Sequence, residues 1–253
     1  MNQSQAFGQP VSPAHPDAPD LREASLTTML NTLAPEAQST YIEVGAYISQ
    51  DNSPGQGTDL GPYKYRDGST YQGMYLRGKR NGRGKQVWKD GSIYEGSWKD
   101  DVCHGHGRVI HVDGEYYVGY WSNNKADGEG EIHSKDGTWY KGNFRDDKKD
   151  GKGREQMADG SIYEGNFVRN VRQGEGLMTF PDGTKYTGEF TNGKIHGSGT
   201  MIWTDGRMYI GDFKDGKMQG KGDFRWPDGK RYSGGYQDDK KHGYGTMEWP
   251  DGS

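Results

Sequence analysis

The sequence predicts an all-β fold: an elongated, single-layer array of tandem antiparallel β-hairpins on a 23-residue repeat, preceded by a mostly disordered segment with one short helix. Three observations predict it. An Asp-Gly step recurs with its glycine at Gly68, Gly91, Gly114, Gly137, Gly160, Gly183, Gly206, Gly229 and Gly252, always 23 residues apart, and a fixed period in this range marks a repeat array. Each step leads into Tyr-x-Gly-x-aromatic, as in Tyr186, Gly188 and Phe190; residues at i, i+2 and i+4 share a face only where the backbone is extended. A Gly-x-Gly pair closes each unit, from Gly82/Gly84 to Gly243/Gly245, which gives eight full units and a ninth cut off after Pro250-Asp251-Gly252-Ser253.

Taken in chain order, residues 1–60 stand apart. They hold seven acids, one base (Arg22) and no lysine, a charge of −6, whereas residues 61–253 hold 31 bases and 29 acids, a charge of +2. Residues 1–19, with Pro10, Pro13, Pro16 and Pro19, read as disordered. Leu26, Met29, Leu30 and Leu33 fall at i, i+3, i+4 and i+7 and predict a short amphipathic helix over 21–34, ended by Pro35. A helix this short needs something to dock on. Residues 49–60 read as a linker.

From residue 61 the repeats begin. Tyr-x-Gly-x-aromatic is strand A. Gly-x-Gly, continued at the same parity by Met201 and Trp203 or by Phe224 and Trp226, is strand B. Asp-Gly between B and the next A predicts a tight type I′ hairpin turn, and the A-to-B connection, such as residues 191–196, reads as the longer, polar one. Gly73 or Gly84 supplies the hole that a bulky ring on the neighbouring strand needs. Eight hairpins place sixteen strands side by side, a span of about 75–80 Å at ~4.8 Å per strand. Leu, Ile, Val and Phe total only 32 of 253 residues, a fraction that in another chain signals disorder. Here the net charge is only −4 and nearly all of the 31 aromatics occupy repeat positions. Units that bury a face against their neighbours need no single large core.

Asp-Gly-x-x-Tyr-x-Gly-x-aromatic with a following Gly-x-Gly resembles the MORN (membrane occupation and recognition nexus) repeat over residues 61–253. The resemblance implies a run of antiparallel hairpins that serves as a scaffold, an interaction surface or a membrane-associated module.

No catalytic constellation is found, and no cofactor is expected. The glycine pairs lead into strands and lack the Gly-x-x-x-x-Gly-Lys-Ser/Thr order of a phosphate loop. Asp146–Met157 imitates a calcium loop but has Lys148 and Met157 where ligands belong. Cys103, His104 and His106 lack a second ligand pair for zinc; His104, His196 and His242 share a turn position expected to be solvated. The lone cysteine excludes an internal disulfide framework. There is no signal peptide or spanning apolar run, so a cytoplasmic protein is the simplest reading.

Two surfaces could carry function. Lys79, Lys125, Lys148, Lys194, Lys217 and Lys240 recur at one turn position, with Arg80, Lys149, Arg172 and Lys241 beside them; they form either a site for anionic lipid or, with acids such as Asp146 and Asp238 among them, a solvated edge. Parity also sends Val87, Ile93, Ile110, Tyr116, Val118, Trp139 and Ile162 to the face opposite the framework rings. An apolar patch there binds a partner or is covered by the N-terminal segment. Units three and four are weakest on the framework face, with Ser134 and Glu155 where other units carry large apolar groups. The expectation is a non-catalytic protein-interaction scaffold, by family resemblance in a cytoskeletal or ciliary (axonemal) assembly. Alternatives are an anionic-membrane module, or a regulatory N-terminal part of a larger enzyme such as a phosphoinositide kinase. Neither nucleic acid nor a small-molecule substrate is expected.

Overall fold

A computed structural model describes residues 35–38 and 57–252. Apart from a helical turn at 35–38, their regular structure is seventeen strands. The chain divides into two compact units, residues 1–148 and 149–253. The first contains β1 (Thr58–Lys64), β2 (Thr70–Leu76), β3 (Lys79–Val87), β4 (Ile93–Lys99), β5 (Val102–Ile110), β6 (Tyr116–Ser122), β7 (Lys125–His133) and β8 (Trp139–Arg145). They pair antiparallel in sequence order. The second, from Lys149 on, contains β9 (Lys148–Gln156), β10 (Ile162–Val168), β11 (Val171–Thr179), β12 (Lys185–Thr191), β13 (Lys194–Ile202), β14 (Met208–Lys214), β15 (Lys217–Arg225), β16 (Arg231–Gln237) and β17 (Lys240–Glu248). These form the same open meander. The division falls in the repeat that carries Glu155, one of the two weak positions on the framework face.

The all-β hairpin array is as predicted, with local corrections. The linker expected over 49–60 ends early, because β1 starts at Thr58 and pairs with β2 through Tyr63–Tyr71 and Lys64–Thr70. β1 is a half-unit that keeps only Gly61 of the Gly-x-Gly pair, which hides it from the repeat pattern. The helix predicted over 21–34 lies outside the described residues. Pro35, expected to end it, is itself helical; proline's fixed φ suits a first helical turn.

The two turns of each repeat exchange the roles expected of them. The A-to-B connection is only two residues long, and both are left-handed: Asp100 (φ 48) and Asp101 (72), Asn123 (50) and Asn124 (66), Asn192 (53) and Gly193 (79). That is the type I′ turn. The Asp-Gly connection spans three residues. Gly206 N–H donates to the Trp203 carbonyl, Trp203 N–H donates to the Arg207 carbonyl, and only Gly206 is left-handed, the geometry of a type I turn closed by a left-handed residue. The aspartate carboxylate accepts from the backbone N–H two residues on: Asp182 from Thr184 at 2.9 Å, Asp159 from Ser161 at 2.8 Å. Hydrogen bonds from the side chains of Ser69, Thr138 and Lys230, with these backbone bonds, hold the carboxyls of Asp67, Asp136 and Asp228 below the usual range, and the backbone bonds lead in lowering those of Asp159 and Asp205.

The core is a zipper of rings on one face of each unit. The tyrosine that opens each A strand is fully buried from Tyr71 to Tyr209. It packs edge-on against the second aromatic of its own strand and that of the next repeat: Tyr94 against Trp98 (5.0 Å) and Trp121 (5.4 Å), Tyr186 against Phe190 (5.4 Å) and Phe213 (5.0 Å). Each such pair is worth ~0.5–1.5 kcal/mol beyond its buried area. The ring lies across two glycines that face each other on adjacent strands. A Cβ on Gly84 would overlap Tyr71 Oη, and one on Gly199 would overlap the Tyr186 ring. Beyond that glycine pair the register shifts, from Gly188–Gly199 to Phe190–Ile195, and the strand bulges. The tyrosine hydroxyl reaches the carbonyl three residues on, Tyr186 to Glu189 at 3.1 Å.

Candidate functional site

The A-to-B turns form the edge on which the lysine row lies, and that edge is occupied with holding repeats together. The second turn residue exchanges two bonds with the residue 21 positions earlier. Asn124 N–H donates to the Cys103 carbonyl (3.0 Å) while its Oδ1 accepts Cys103 N–H (2.7 Å). Asp101 does the same with Arg80, Asp147 with Ala126, Asn170 with Lys149, and Asp239 with Met218. Gly193 and Gly216 make only the backbone half. A third contact comes from the turn position expected to be solvated: Gln173 and Gln219 accept the N–H of Asn192 and Asp238, each at 3.2 Å. His104 at this position is half-buried, with Nδ1 enclosed and unbonded.

The lysines enter the same edge. Lys125 Nζ lies 2.8 Å from Asp146, Lys217 3.1 Å from Asp238 and Lys194 3.5 Å from Asp215, each across to the next turn. Lys79, Lys148 and Lys240 are exposed. The cations placed beside this row face the rings instead. Arg80 is buried over Trp98 (4.2 Å), Arg172 lies over Tyr163 (5.6 Å) and Lys241 over Tyr232 (4.4 Å). Lys149 and Arg172 both bind Glu155, which makes polar the position that Met201 fills with packing in a later repeat. Strand parity explains the difference, because adjacent residues of one strand point to opposite faces.

On the other face, cross-strand pairing lines up Val87, Ile93, Ile110, Tyr116, His133 and Trp139 as one row of the first unit. Val87, Ile93 and Ile110 are 2 %, 1 % and 0 % exposed, so this end of the row is covered and offers no open surface. The other end is half-buried. There Tyr116 stacks on His133 (4.7 Å, 10°), and His133 stacks toward Trp139 (6.5 Å, 27°). His133 belongs to the row, yet a search for apolar residues alone passes over it; its register with Tyr116 is the signal. Val118 lies one row away, between Arg108 and Glu131. Around it run ion pairs Lys85–Glu95 (3.2 Å), Arg108–Glu95 (2.7 Å) and Lys141–Glu131 (3.3 Å). Burial works to raise the Glu131 carboxyl, but hydrogen bonds from His133 and Lys141 outweigh it and hold it low. Ile162 belongs to the second unit, paired with Gln156 and Thr179.

The metal candidates are dispersed. Cys103 is buried, and burial pushes its thiol up to about 12; His106 packs edge-on against Tyr120 (5.1 Å). Among the described residues no three His, Cys, Asp or Glu side chains gather as a metal site, and no helix is long and apolar enough to cross a membrane.

Strand pairs of constant length, a ring zipper in each unit and inter-turn bonds at a fixed offset define a tandem β-hairpin repeat protein. The MORN repeat model matches residues 71–93, 94–116, 117–139, 140–162, 163–185, 186–206, 209–231 and 232–253, and the chain belongs to the MORN repeat family. No curated protein matches the sequence. Among solved structures, the chain is similar to the G-box domain of the microcephaly protein CPAP (14% identity, 75% of this chain and 97% of that one, TM-score 0.48). It is also similar to the Drosophila melanogaster SAS-4 TCP domain in complex with a proline-rich motif of Ana2 (11%, 74% and 96%, 0.38). A third is the Danio rerio CPAP TCP10 domain with a STIL peptide (15%, 76% and 99%, 0.29).

Proposed function

We propose that this chain is a non-catalytic protein–protein interaction scaffold that receives a partner at the Tyr116–His133–Trp139 end of the second face of its first unit. The observation that carries the reading is that stack: three aromatic rings held in one register on the face that repeat packing does not use. Aromatic rings on a rigid sheet are favoured anchors for a partner because they bury large area at little cost in side-chain entropy. The framework tyrosines and paired glycines are consumed in packing, which leaves the second face to differ from repeat to repeat. A place in a cytoskeletal or ciliary assembly rests on the family alone.

The test is affinity capture with quantitative mass spectrometry on three proteins: wild type, Tyr116→Ser/Trp139→Ser, and a charge reversal of Lys148, Lys194, Lys217 and Lys240 to Glu. The reading expects partners that the aromatic double variant loses and the charge reversal keeps. Identical losses from both, or none from the double variant, would refute it. Anionic-membrane binding through the lysine row is the weaker reading, because Lys125, Lys194 and Lys217 already face carboxylates. Salt-sensitive co-sedimentation with anionic liposomes, abolished by the reversal, would instead support the membrane.

A further inference from the structure

The last four Asp-Gly turns of the second unit carry an aromatic ring at one position, Phe180, Trp203, Trp226 and Trp249, one per repeat. The rings are half-exposed, and Trp249 is 45 % exposed. The turns stack in register: the Cγ atoms of Pro227 and Pro250 lie 3.2 and 3.3 Å from where Gly206 and Gly229 of the preceding turn would bear a Cβ. Phe224 sits between two of the rings, 5.4 Å from Trp203 and 4.4 Å from Trp226. Cations border the row: Arg207 at Trp203 (5.3 Å), Lys241 at Trp226 (4.9 Å) and Lys230 at Trp249 (5.1 Å). Arg207 and Lys230 also pair with the turn carboxylates Asp205 and Asp228, at 2.7 and 2.8 Å.

Two strands per repeat at ~4.8 Å each set consecutive rings about 9.6 Å apart. A polyproline II helix has three residues per turn and rises ~3.1 Å per residue, so prolines at every third residue make a ridge with a period of about 9.3 Å. Over three intervals the two periods drift apart by only about 1 Å. The sequence has this spacing at Pro10, Pro13, Pro16 and Pro19, four prolines for four rings, with the acids Asp17 and Asp20 directly after Pro16 and Pro19. These residues lie outside the described ones.

We propose that the Phe180–Trp203–Trp226–Trp249 edge docks a polyproline II segment with proline at every third residue, and that residues 10–19 of a second copy of this chain are that segment. Proline rings pack against the exposed faces of the aromatic side chains, and the acids approach Arg207, Lys230 and Lys241. This edge is separate from the Tyr116–Trp139 row, so either surface can fail without the other.

The test has two arms. In the first, a peptide of residues 8–21 is titrated, by tryptophan fluorescence and calorimetry, into the full chain carrying Pro10→Ala, Pro13→Ala, Pro16→Ala and Pro19→Ala, so that no internal ligand competes. Binding is expected. It should weaken at least tenfold when Trp203→Ala/Trp226→Ala is added, and at least tenfold for a peptide with its prolines moved to every fourth residue. Arg207→Glu/Lys241→Glu, which leaves the rings in place, should also weaken it and covers the case in which loss of the indoles unfolds the unit. In the second arm, sedimentation equilibrium should show the wild-type chain self-associating and the proline variant monomeric. No binding of the peptide up to about 1 mM (a free energy near −4 kcal/mol), indifference to proline spacing, or a wild-type chain that stays monomeric would each overturn the proposal.

Discussion

At the residue scale, two glycine positions separate space from strain. Gly199 lies beneath the Tyr186 ring, whereas Gly160 is left-handed (φ 85) and an added Cβ there would meet nothing within 4 Å. Gly199→Ala must drive Tyr186 out of its slot, forfeiting ring contacts and the Oη bond, a loss comparable to the ~3–5 kcal/mol of deleting a core aromatic. Gly160→Ala meets only the left-handed penalty of ~1–2 kcal/mol. Chemical denaturation should rank the two in that order, and equal costs would refute the slot. Asp147 makes a second case. Its Oδ1 accepts Ala126 N–H at 2.7 Å, and burial pushes its carboxyl above the ordinary value of 3.8. A raised folded-state pKa means the native state disfavours the ionised form, so this group costs stability as pH rises through its unfolded and then its folded pKa. Asn124 and Asn170 do the same job without charge. Asp147→Asn should therefore raise the melting temperature at pH 7, with the gain vanishing near pH ~3, while Asp147→Ala should lose about 1 kcal/mol with its hydrogen bond.

At the scale of the element, the strands were legible and the turns only half so. A tyrosine, a glycine and an aromatic at alternating positions allow one backbone conformation, and the resulting hairpins match. The turns mislead because Asp-Gly fits two loop lengths equally well. What decides between them is the pair before each B strand, Asp100-Asp101 or Asn123-Asn124, whose asparagines and aspartates accept left-handed backbone; Asn192-Gly193 and Asp215-Gly216 carry the tight-turn signal openly, and the units without glycine hide it. The distant bonds those side chains make, 21 residues back, exist only in space. They also show where the array is incomplete. Gly216 is left-handed, has nothing within 4 Å of an added Cβ, and gives the Ile195 N–H no side-chain acceptor. Gly216→Asn supplies one and should hold or raise stability by a few tenths of a kcal/mol up to about 1, although glycine to a larger residue at such a φ normally destabilises. A fall of more than that in thermal melts would count against the inter-turn bond. The Asp-Gly turns predict an acid limit as well. The carboxyls of Asp67, Asp136, Asp159, Asp205 and Asp228 have depressed folded-state pKa values, so the stability they add is complete above the ordinary 3.8 and is lost as pH falls through the lower folded values. Asp159→Asn, which keeps the acceptor, should melt less steeply with acid below pH ~4 than wild type.

For the whole molecule, the period itself is the testable quantity. Removing residues 186–208 takes out one full repeat and joins Lys185 to Tyr209, which keeps every ring, glycine pair and turn contact in frame. Removing one residue fewer inverts the facing of everything downstream. The in-frame deletion should remain cooperatively folded by circular dichroism with a modest loss of stability, and the other should not. Function was less legible than fold for the same reason: a repeat displays what all units share, and binding resides in what single units do not. The row ending in Tyr116, His133 and Trp139 stands out only in part, because burial of Val87, Ile93 and Ile110 depends on what covers the sheet, which no alternation pattern encodes. The inter-turn bonds also give the array a direction. Where the second turn residue is Asn or Asp, its side chain accepts a main-chain N–H of the earlier repeat, as Asn124 does from Cys103 and Asp239 from Met218, while Gln173 and Gln219 of the earlier repeat reach forward to a main-chain N–H of the later one. A cassette copied onto the C-terminal side brings its own fastener to any sequence already there, whereas one copied onto the N-terminal side relies on the fastener of its new neighbour. For this one bond, lengthening by duplication is sequence-tolerant toward one end and sequence-dependent toward the other.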